Sequence, residues 1–240
     1  MKKVFLFLCG IALVTACSED ESSNVSRITN YPLITVMGDA VVYVHKGDPF
    51  VDPGVTVTEG GVDIPFTTTV TGQFRGGTTL DTNVEDIYTI TYSATNQDGF
   101  SGSATRTVIV ADTGDLINNI SGLYTSTVTR NGVLTAQYTD LEYVLIWKNG
   151  DGTYQVSDGI GGYYSIGRAY GNGYNATPMI ITANNIATND FDVTDYEVGT
   201  FGGAVVNTEF TVNAENQTIH FVSDWDSGYT FDVLLEQVQF

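Results

Sequence analysis

The chain has 240 residues, of which 42% are hydrophobic and only 15% are charged. Its 9 basic and 28 acidic residues give a formal net charge of −19. Such a surface repels nucleic-acid phosphates, so we exclude nucleic acid as a partner. Plentiful Thr, Gly, Tyr and Val, without an amphipathic helical pattern of useful length, indicate an all-β protein with room for two domains of roughly 100 residues each.

Residues 1–16 have the pattern of a signal peptide. Two lysines precede an apolar run at residues 4–14, which is too short to span a bilayer. The sequence Val-Thr-Ala-Cys then ends at Cys17 and resembles the lipobox of bacterial lipoproteins. This resemblance implies that residues 1–16 are removed and that the Cys17 thiol carries the lipid that binds the membrane. The alternative is an ordinary secretory signal with a chance cysteine.

An acidic run follows the cysteine directly. It consists of Ser18, Glu19, Asp20 and Glu21. It resembles the export signal of surface lipoproteins of Bacteroidetes, which implies a lipid-anchored protein of the outer membrane, exposed on the cell surface. The same run can also be the solvated start of a tether, and we expect residues 17–33 to be flexible because Ser, Asn and acidic residues are common there. Cys9 leaves with the signal peptide, so the mature chain would have no disulfide and no thiol nucleophile.

The first domain is predicted at residues 34–111, as short strands between turns. Residues 88–95 alternate strictly between larger apolar and small polar side chains, which predicts a strand with one buried face. The segments KGDPFVDPGVTVTEGG (46–61) and YTITYSATNQDGFSGSATRTVIV (88–110) resemble a bacterial immunoglobulin-like family that is also found in a pesticidal crystal protein. The resemblance implies a β-sandwich that serves as a spacer or recognition module. We expect Asp52 to bond its own backbone in a turn, and Arg106 to pair with an acidic residue or remain solvated.

The second domain is predicted at residues 116–240, with eight or nine strands joined by hairpins, one of them over residues 163–170. An up-and-down meander of this kind tends to close into a barrel. The segments SGLYTSTVTRNG, SDGIGGYYSIGRAYGNGY and WDSGYTFDVLL resemble the C-terminal, lipocalin-like domain of small Bacteroidetes surface lipoproteins. The expected fold is therefore an immunoglobulin-like sandwich followed by an antiparallel, up-and-down β-barrel-like domain. No function comes with this second resemblance.

The sequence shows no arrangement typical of an enzyme. His45 and His220 stand alone, and neither a nucleophile elbow nor a phosphate-binding loop is present. The turns at 98–99, 151–152 and 224–226 contain aspartates that could hold Ca²⁺, but ordinary turn chemistry explains them without a metal. We predict no catalytic residue, no metal and no cofactor.

The most suggestive group of residues is aromatic. Its members are Tyr163, Tyr164, Tyr170, Tyr174, Trp225 and Tyr229. Rings beside Asp and Asn can stack on sugar faces and bond sugar hydroxyls, and we expect the ring of Trp225 to be exposed for this purpose. The alternative is that the tyrosines alternate into the barrel interior, and Trp147 is expected to be core.

Together these patterns predict a lipid-anchored cell-surface protein that captures a ligand without catalysis. A glycan is the leading ligand, in a role accessory to nutrient uptake. The alternative is a structural or adhesive module that contacts partner proteins at the outer membrane surface.

Overall fold

The computed structural model describes residues 28–240. The predicted lipidation site Cys17 and the export-signal residues Ser18, Glu19, Asp20 and Glu21 therefore lie outside the described residues. Within residues 28–240, the regular structure is all β apart from four 3-10 turns of three residues each. None of the helices in this range is long and apolar enough to cross a membrane.

The first part of the chain is a sandwich of two small sheets. Its strands are β1 Leu33–Val36, β2 Val41–His45, β3 Val55–Glu59, β4 Val62–Asp63, β5 Thr67–Gly72, β6 Asp86–Thr95 and β7 Ser101–Ala111. One sheet has the order β1-β3-β4 and the other β2-β7-β6-β5, with β2 parallel to β7. The predicted alternation in β6 is confirmed, since Tyr88, Ile90, Tyr92 and Ala94 are all buried. The immunoglobulin-like fold is thus confirmed.

A buried arginine fixes the turn before β3. Asp52 Oδ1 accepts a hydrogen bond from the backbone N–H of Gly54 at 3.0 Å, which is the predicted turn. Arg106 on β7 is fully buried, and its Nε lies 3.1 Å from Asp52 Oδ1. The Tyr92 hydroxyl donates to the other carboxylate oxygen at 2.7 Å. Arg106 also donates to the carbonyl oxygens of Met37 and Asp39, so one side chain links the β1–β2 connection, the turn and β7.

The second part is one curled, ten-stranded antiparallel sheet. Its strands are β8 Gly122–Arg130, β9 Leu141–Lys148, β10 Tyr154–Val156, β11 Ala176–Thr177, β12 Met179–Asn185, β13 Asp190–Val193, β14 Tyr196–Val198, β15 Ala204–Asn213, β16 Thr218–Trp225 and β17 Tyr229–Gln237. Their order is β11-β14-β15-β16-β17-β8-β9-β10-β12-β13. The first and last long strands are neighbours, because β17 pairs with β8 from Phe231↔Arg130 to Gln237↔Tyr124. This half-barrel confirms the barrel-like prediction.

The curled sheet surrounds a glycine-rich stretch at residues 157–175, called here the inner segment. The predicted strand over residues 163–170 is wrong: the chain forms consecutive turns there, and residues 157–165 are all buried. Gly161 shows why the stretch is rich in glycine. It has a φ of +67°, and a Cβ at this position would lie 2.7 Å from Val233 Cγ1 and 2.8 Å from Val128 Cγ2. Only a residue without a side chain lets the inner segment pass this close to β8 and β17.

A third apolar cluster joins the two parts of the chain. Ile87 and Ile109 of the sandwich pack in it with Leu123, Leu145 and Trp147 of the curled sheet. Trp147 is therefore core, as the sequence predicts. The hydroxyls of Tyr43 and Tyr143 lie 2.6 Å apart at the same boundary.

Candidate ligand-binding site

The fold brings the six predicted aromatic residues into one connected cluster. Tyr164 is the centre, with ring centroids 5.0 Å from Tyr163, 6.3 Å from Tyr170 and 6.1 Å from Trp225. Tyr174 joins through Tyr170 at 5.1 Å, and Tyr229 joins through Trp225 at 5.8 Å. These separations are typical of favourable aromatic pairs. Rings from the inner segment and from the β16–β17 hairpin, more than fifty residues apart in the sequence, therefore form a single feature.

Burial divides the six rings into two groups. Tyr163, Tyr164 and Trp225 are buried, whereas Tyr170 is 47% exposed and Tyr174 and Tyr229 are half-buried. Some of the tyrosines therefore fill the interior, and others reach the surface. Tyr163 and Tyr164 do not alternate between faces, since neither lies in a strand.

The burial of Trp225 contradicts the prediction that its ring is exposed. Its ring is only 8% exposed, although we expected a surface ring. The indole Nε1–H donates to the carbonyl oxygen of Gly202 at 3.1 Å, and a Cβ at Gly203 would lie 2.5 Å from Nε1. The Gly202-Gly203 pair thus lets backbone cover the indole edge, a tertiary contact that the sequence around Trp225 does not show. Trp225 supports the site from beneath rather than presenting a face to a ligand.

Phe201 is a surface ring that sequence reasoning missed. It is 49% exposed, and its centroid lies 4.9 Å from Tyr174, 5.0 Å from Tyr164 and 6.1 Å from Trp225. With Tyr170 and Tyr174 it forms the accessible part of the cluster, called here the aromatic platform. The available signal was a lone aromatic framed by Gly199, Gly202 and Gly203, similar to the glycine-framed tyrosines of the inner segment.

Two arginines, also missed, complete the site. The guanidinium of Arg130 lies 4.8 Å from the ring centroid of Tyr163 and 4.7 Å from that of Tyr229. Arg168 lies 5.6 Å from Tyr163 and 5.5 Å from Tyr164, and its Nε–H donates to the Tyr138 hydroxyl at 3.2 Å. Such cation–π contacts are worth about 0.5–1 kcal/mol at exposed sites and more where water is excluded. Arg168 is exposed and Arg130 is half-buried, so both charges reach the surface.

Hydrogen bonds among phenols adjust the pKa values around Arg168. Bonds to Tyr138, Tyr170 and Tyr163 raise the pKa of the Arg168 guanidinium, which therefore stays charged. Burial raises the pKa of Tyr163, and its hydrogen bond to Tyr138 adds to this effect. Burial also acts to raise the pKa of Tyr138, but hydrogen bonds from Tyr163 and Arg168 outweigh it, so the net pKa is lowered. Tyr138 also stacks on Tyr163, with centroids 3.9 Å apart.

A buried carboxyl group holds the inner segment in place. Asp158 Oδ1 accepts from the backbone N–H of Ile160 at 3.0 Å and of Ala176 at 3.2 Å, and Oδ2 accepts from the Ser165 hydroxyl at 2.7 Å. These bonds fix both ends of the stretch that carries Tyr163 and Tyr164. Burial raises the pKa of Asp158 to about 6, although the same hydrogen bonds act to lower it. Asp158 therefore positions the site and does not face a ligand.

Three other titratable residues that stand out in the sequence lie away from the cluster. His220 is flanked by Asp232 at 3.0 Å and Glu209 at 3.5 Å, and the His45 ring stacks on Phe240. Asp151 accepts two bonds from Thr153 within its own turn. Across residues 28–240, no group of three or more His, Cys, Asp or Glu residues is arranged to hold a metal ion.

Comparisons with known proteins agree with this architecture. A family model described as a C-terminal domain matches residues 113–237, and the model for a bacterial surface protein Ig-like domain matches residues 34–110. The first match spans more than half of the chain, and the chain therefore belongs to the family with this C-terminal domain; the second match identifies the preceding Ig-like domain.

A crystal structure of another protein resembles this chain over both of its parts. The lipoprotein BT2262 from Bacteroides thetaiotaomicron aligns with 86% of this chain and 100% of its own, with a TM-score of 0.62 and 27% identity. A search of curated proteins found no match. Neither family description names an enzyme activity.

Proposed function

We propose that this protein is anchored to the outer membrane through lipid on Cys17 and captures a glycan at the aromatic platform without transforming it. The role would be accessory to nutrient uptake. The observation that carries the proposal is the platform itself: Tyr170 and Phe201 are each about half exposed, yet both rest on buried rings. A rigidly supported ring can stack on a sugar without losing much conformational freedom, because its position is already set.

The test compares two phenylalanines of similar exposure. Phe201 is 49% exposed on the platform, and Phe100 is 46% exposed on the first domain. Protein lacking residues 1–17 is applied to a glycan array. Phe201→Ala, combined with Tyr170→Ala, should lose glycan retention by roughly tenfold or more, since anchoring aromatics contribute about 2 kcal/mol or more to binding. Phe100→Ala should retain wild-type binding.

The outcome separates glycan capture from the alternative role. If the wild-type protein retains no glycan, or if the platform variants bind as well as Phe100→Ala, the proposal of glycan capture at this site fails. A partner protein recovered by crosslinking on intact cells and lost in the platform variants would instead support an adhesive module. The anchor is tested separately, because Cys17→Ala should abolish labelling by a fatty-acid analogue.

A further inference from the structure

Some of the basic residues of this chain form ion pairs with carboxylates, and others do not. Residues 28–240 contain six lysines and arginines, namely Lys46, Arg75, Arg106, Arg130, Lys148 and Arg168. Lys46 and Arg75 pair with Glu85, and Arg106 pairs with Asp52. In contrast, no carboxylate of the described residues lies within 4.0 Å of Arg130, Lys148 or Arg168. Arg130 and Arg168 differ from Lys148 in that both lie at one site, against the ring of Tyr163, in a chain with a net charge of −19.

The two arginines also lack other strong neutralising contacts. Both lie against the ring of Tyr163, so two like charges share one neighbour. Arg168 bonds only to neutral phenols. The guanidinium of Arg130 lies 4.8 Å and 4.7 Å from the centroids of two rings, and none of the described residues accepts a hydrogen bond from its side chain. Stacking occupies the faces of a guanidinium and leaves the N–H groups at its edge free to donate.

We propose that the captured glycan is acidic, and that Arg168 and Arg130 bind its carboxylate or sulfate group while a neighbouring sugar stacks on the platform. This inference rests on the proposed glycan capture and names its substrate class. The planar fork of an arginine matches the oxygen geometry of a carboxylate or sulfate, and such charge-assisted hydrogen bonds are about twice as strong as neutral ones. The Arg168 guanidinium lies 5.5 Å from the ring centroid of Tyr164, and that ring stacks on Tyr170 of the platform at 6.3 Å, so the charge and the stacking surface are adjacent.

The net negative charge of the chain does not prevent this binding. At physiological ionic strength the Debye length is about 8 Å, so distant surface carboxylates are largely screened. The nearest acids in sequence to the cluster flank Trp225, and both accept hydrogen bonds from the protein. Asp224 accepts from the Thr230 hydroxyl at 2.6 Å, and Asp226 from the Ala204 backbone at 3.0 Å. The charged side chains placed over the ring of Tyr163 are those of Arg130 and Arg168.

Polysaccharides that differ only in charge provide the test. Protein lacking residues 1–17 is titrated with polygalacturonic acid and with its fully methyl-esterified form, and separately with dextran sulfate and with dextran. The acidic member of at least one pair should bind roughly tenfold or more tightly than its neutral counterpart. The first pair reports on carboxylate recognition and the second on sulfate recognition.

Matched variants assign the effect to the site. Arg168→Gln should lower affinity for the acidic polysaccharide about tenfold, with its melting temperature measured alongside because Arg168 also contacts Tyr138, Tyr163 and Tyr164. Lys148→Gln is the control, since Lys148 also lies over a tyrosine ring, 5.3 Å from the centroid of Tyr154, but outside the site. Arg130→Gln should repeat the result, with its melting temperature measured alongside because the residue is half-buried.

The possible failures are distinguishable. One outcome overturns the acidic ligand but leaves glycan capture standing. In that outcome the acidic and neutral members bind equally, Arg168→Gln binds like the wild type, and the double variant Phe201→Ala, Tyr170→Ala binds more weakly. Loss of affinity in Lys148→Gln equal to that in Arg168→Gln shows a general charge effect and also overturns the acidic ligand. If the wild-type protein binds neither member of either pair and no glycan on the array, both proposals fail.

Discussion

Replacing Asp158 with asparagine should remove a specific pH dependence from the stability of this protein. The carboxyl group is fully buried, and its pKa is raised from 3.8 to about 6 by burial. The folded state therefore binds the proton more tightly than the unfolded state. The stabilisation from this proton is complete below about pH 4 and is lost as the pH rises through 6.

The size of the effect follows from the two pKa values. One pKa unit corresponds to about 1.4 kcal/mol, so the linkage amounts to roughly 2–3 kcal/mol between pH 4 and pH 7. Asparagine has the same shape and can keep the bonds from the Ile160 and Ala176 backbones through Oδ1, while its amide donates to the Ser165 hydroxyl. Asp158→Asn should therefore fold, and its stability relative to the wild type should rise by that amount over this pH range.

The assay is urea unfolding of both proteins at pH 4, 5, 6 and 7, followed by tyrosine and tryptophan fluorescence. All other titrating groups are common to both proteins and cancel in the difference of unfolding free energies. Asp115→Asn is the control, because hydrogen bonds, first from the Asn118 backbone, lower the pKa of the exposed Asp115. Its contribution to stability therefore changes mainly below pH 4, and its difference from wild type should be nearly constant between pH 4 and pH 7. A constant difference between Asp158→Asn and wild type across the range would refute the reasoning.

Two further substitutions test the structural roles of buried groups. Trp225→Ala should lower the free energy of unfolding by about 3–5 kcal/mol, as expected for a buried aromatic. Phe201→Ala should lower it far less, because this ring lies at the surface. Equal melting temperatures for the two variants would place both rings on the surface. Asp52→Asn should destabilise the first domain by about 3 kcal/mol or more in chemical unfolding, because it removes the carboxylate charge from the buried Arg106. An unchanged unfolding midpoint for Asp52→Asn would show that backbone carbonyls alone satisfy Arg106.

The sequence predicts the fold well where local patterns decide it. The alternation in β6 depends only on which side chains are apolar, and the turn at Asp52 depends on Pro53 and Gly54, so both are visible in a few residues. The inner segment is different. Its tyrosines have strand-like composition, yet they do not form a strand because glycines let the chain enter the curled sheet and pack against side chains from other strands. That outcome depends on space that only the assembled sheet defines.

The aromatic members of the candidate site could be found from composition, but its arginines could not. Arg130 reaches Tyr229 only because β8 and β17 are neighbours, with Arg130 opposite Phe231, although the two residues lie at opposite ends of the domain sequence. Arg168 follows the buried tyrosines in sequence, but its contact with Tyr138 requires the inner segment to turn back on itself. In a sequence with 28 acidic and 9 basic residues, the absence of a carboxylate partner among residues 28–240 is a property of three-dimensional structure alone.

The continuity of the aromatic cluster from core to surface determines which variants can report on a ligand. Tyr164 contacts both the core ring of Phe231, at 6.2 Å, and the surface ring of Phe201, at 5.0 Å. A change at Tyr164 must therefore disturb folding and the proposed binding surface together, because one ring serves both. Tyr170, Phe201 and Arg168 are exposed and stand at the outer end of the same contacts. Their substitution removes ligand contacts while the supporting rings remain buried, so loss of binding without loss of stability at these positions is the specific signature of the site.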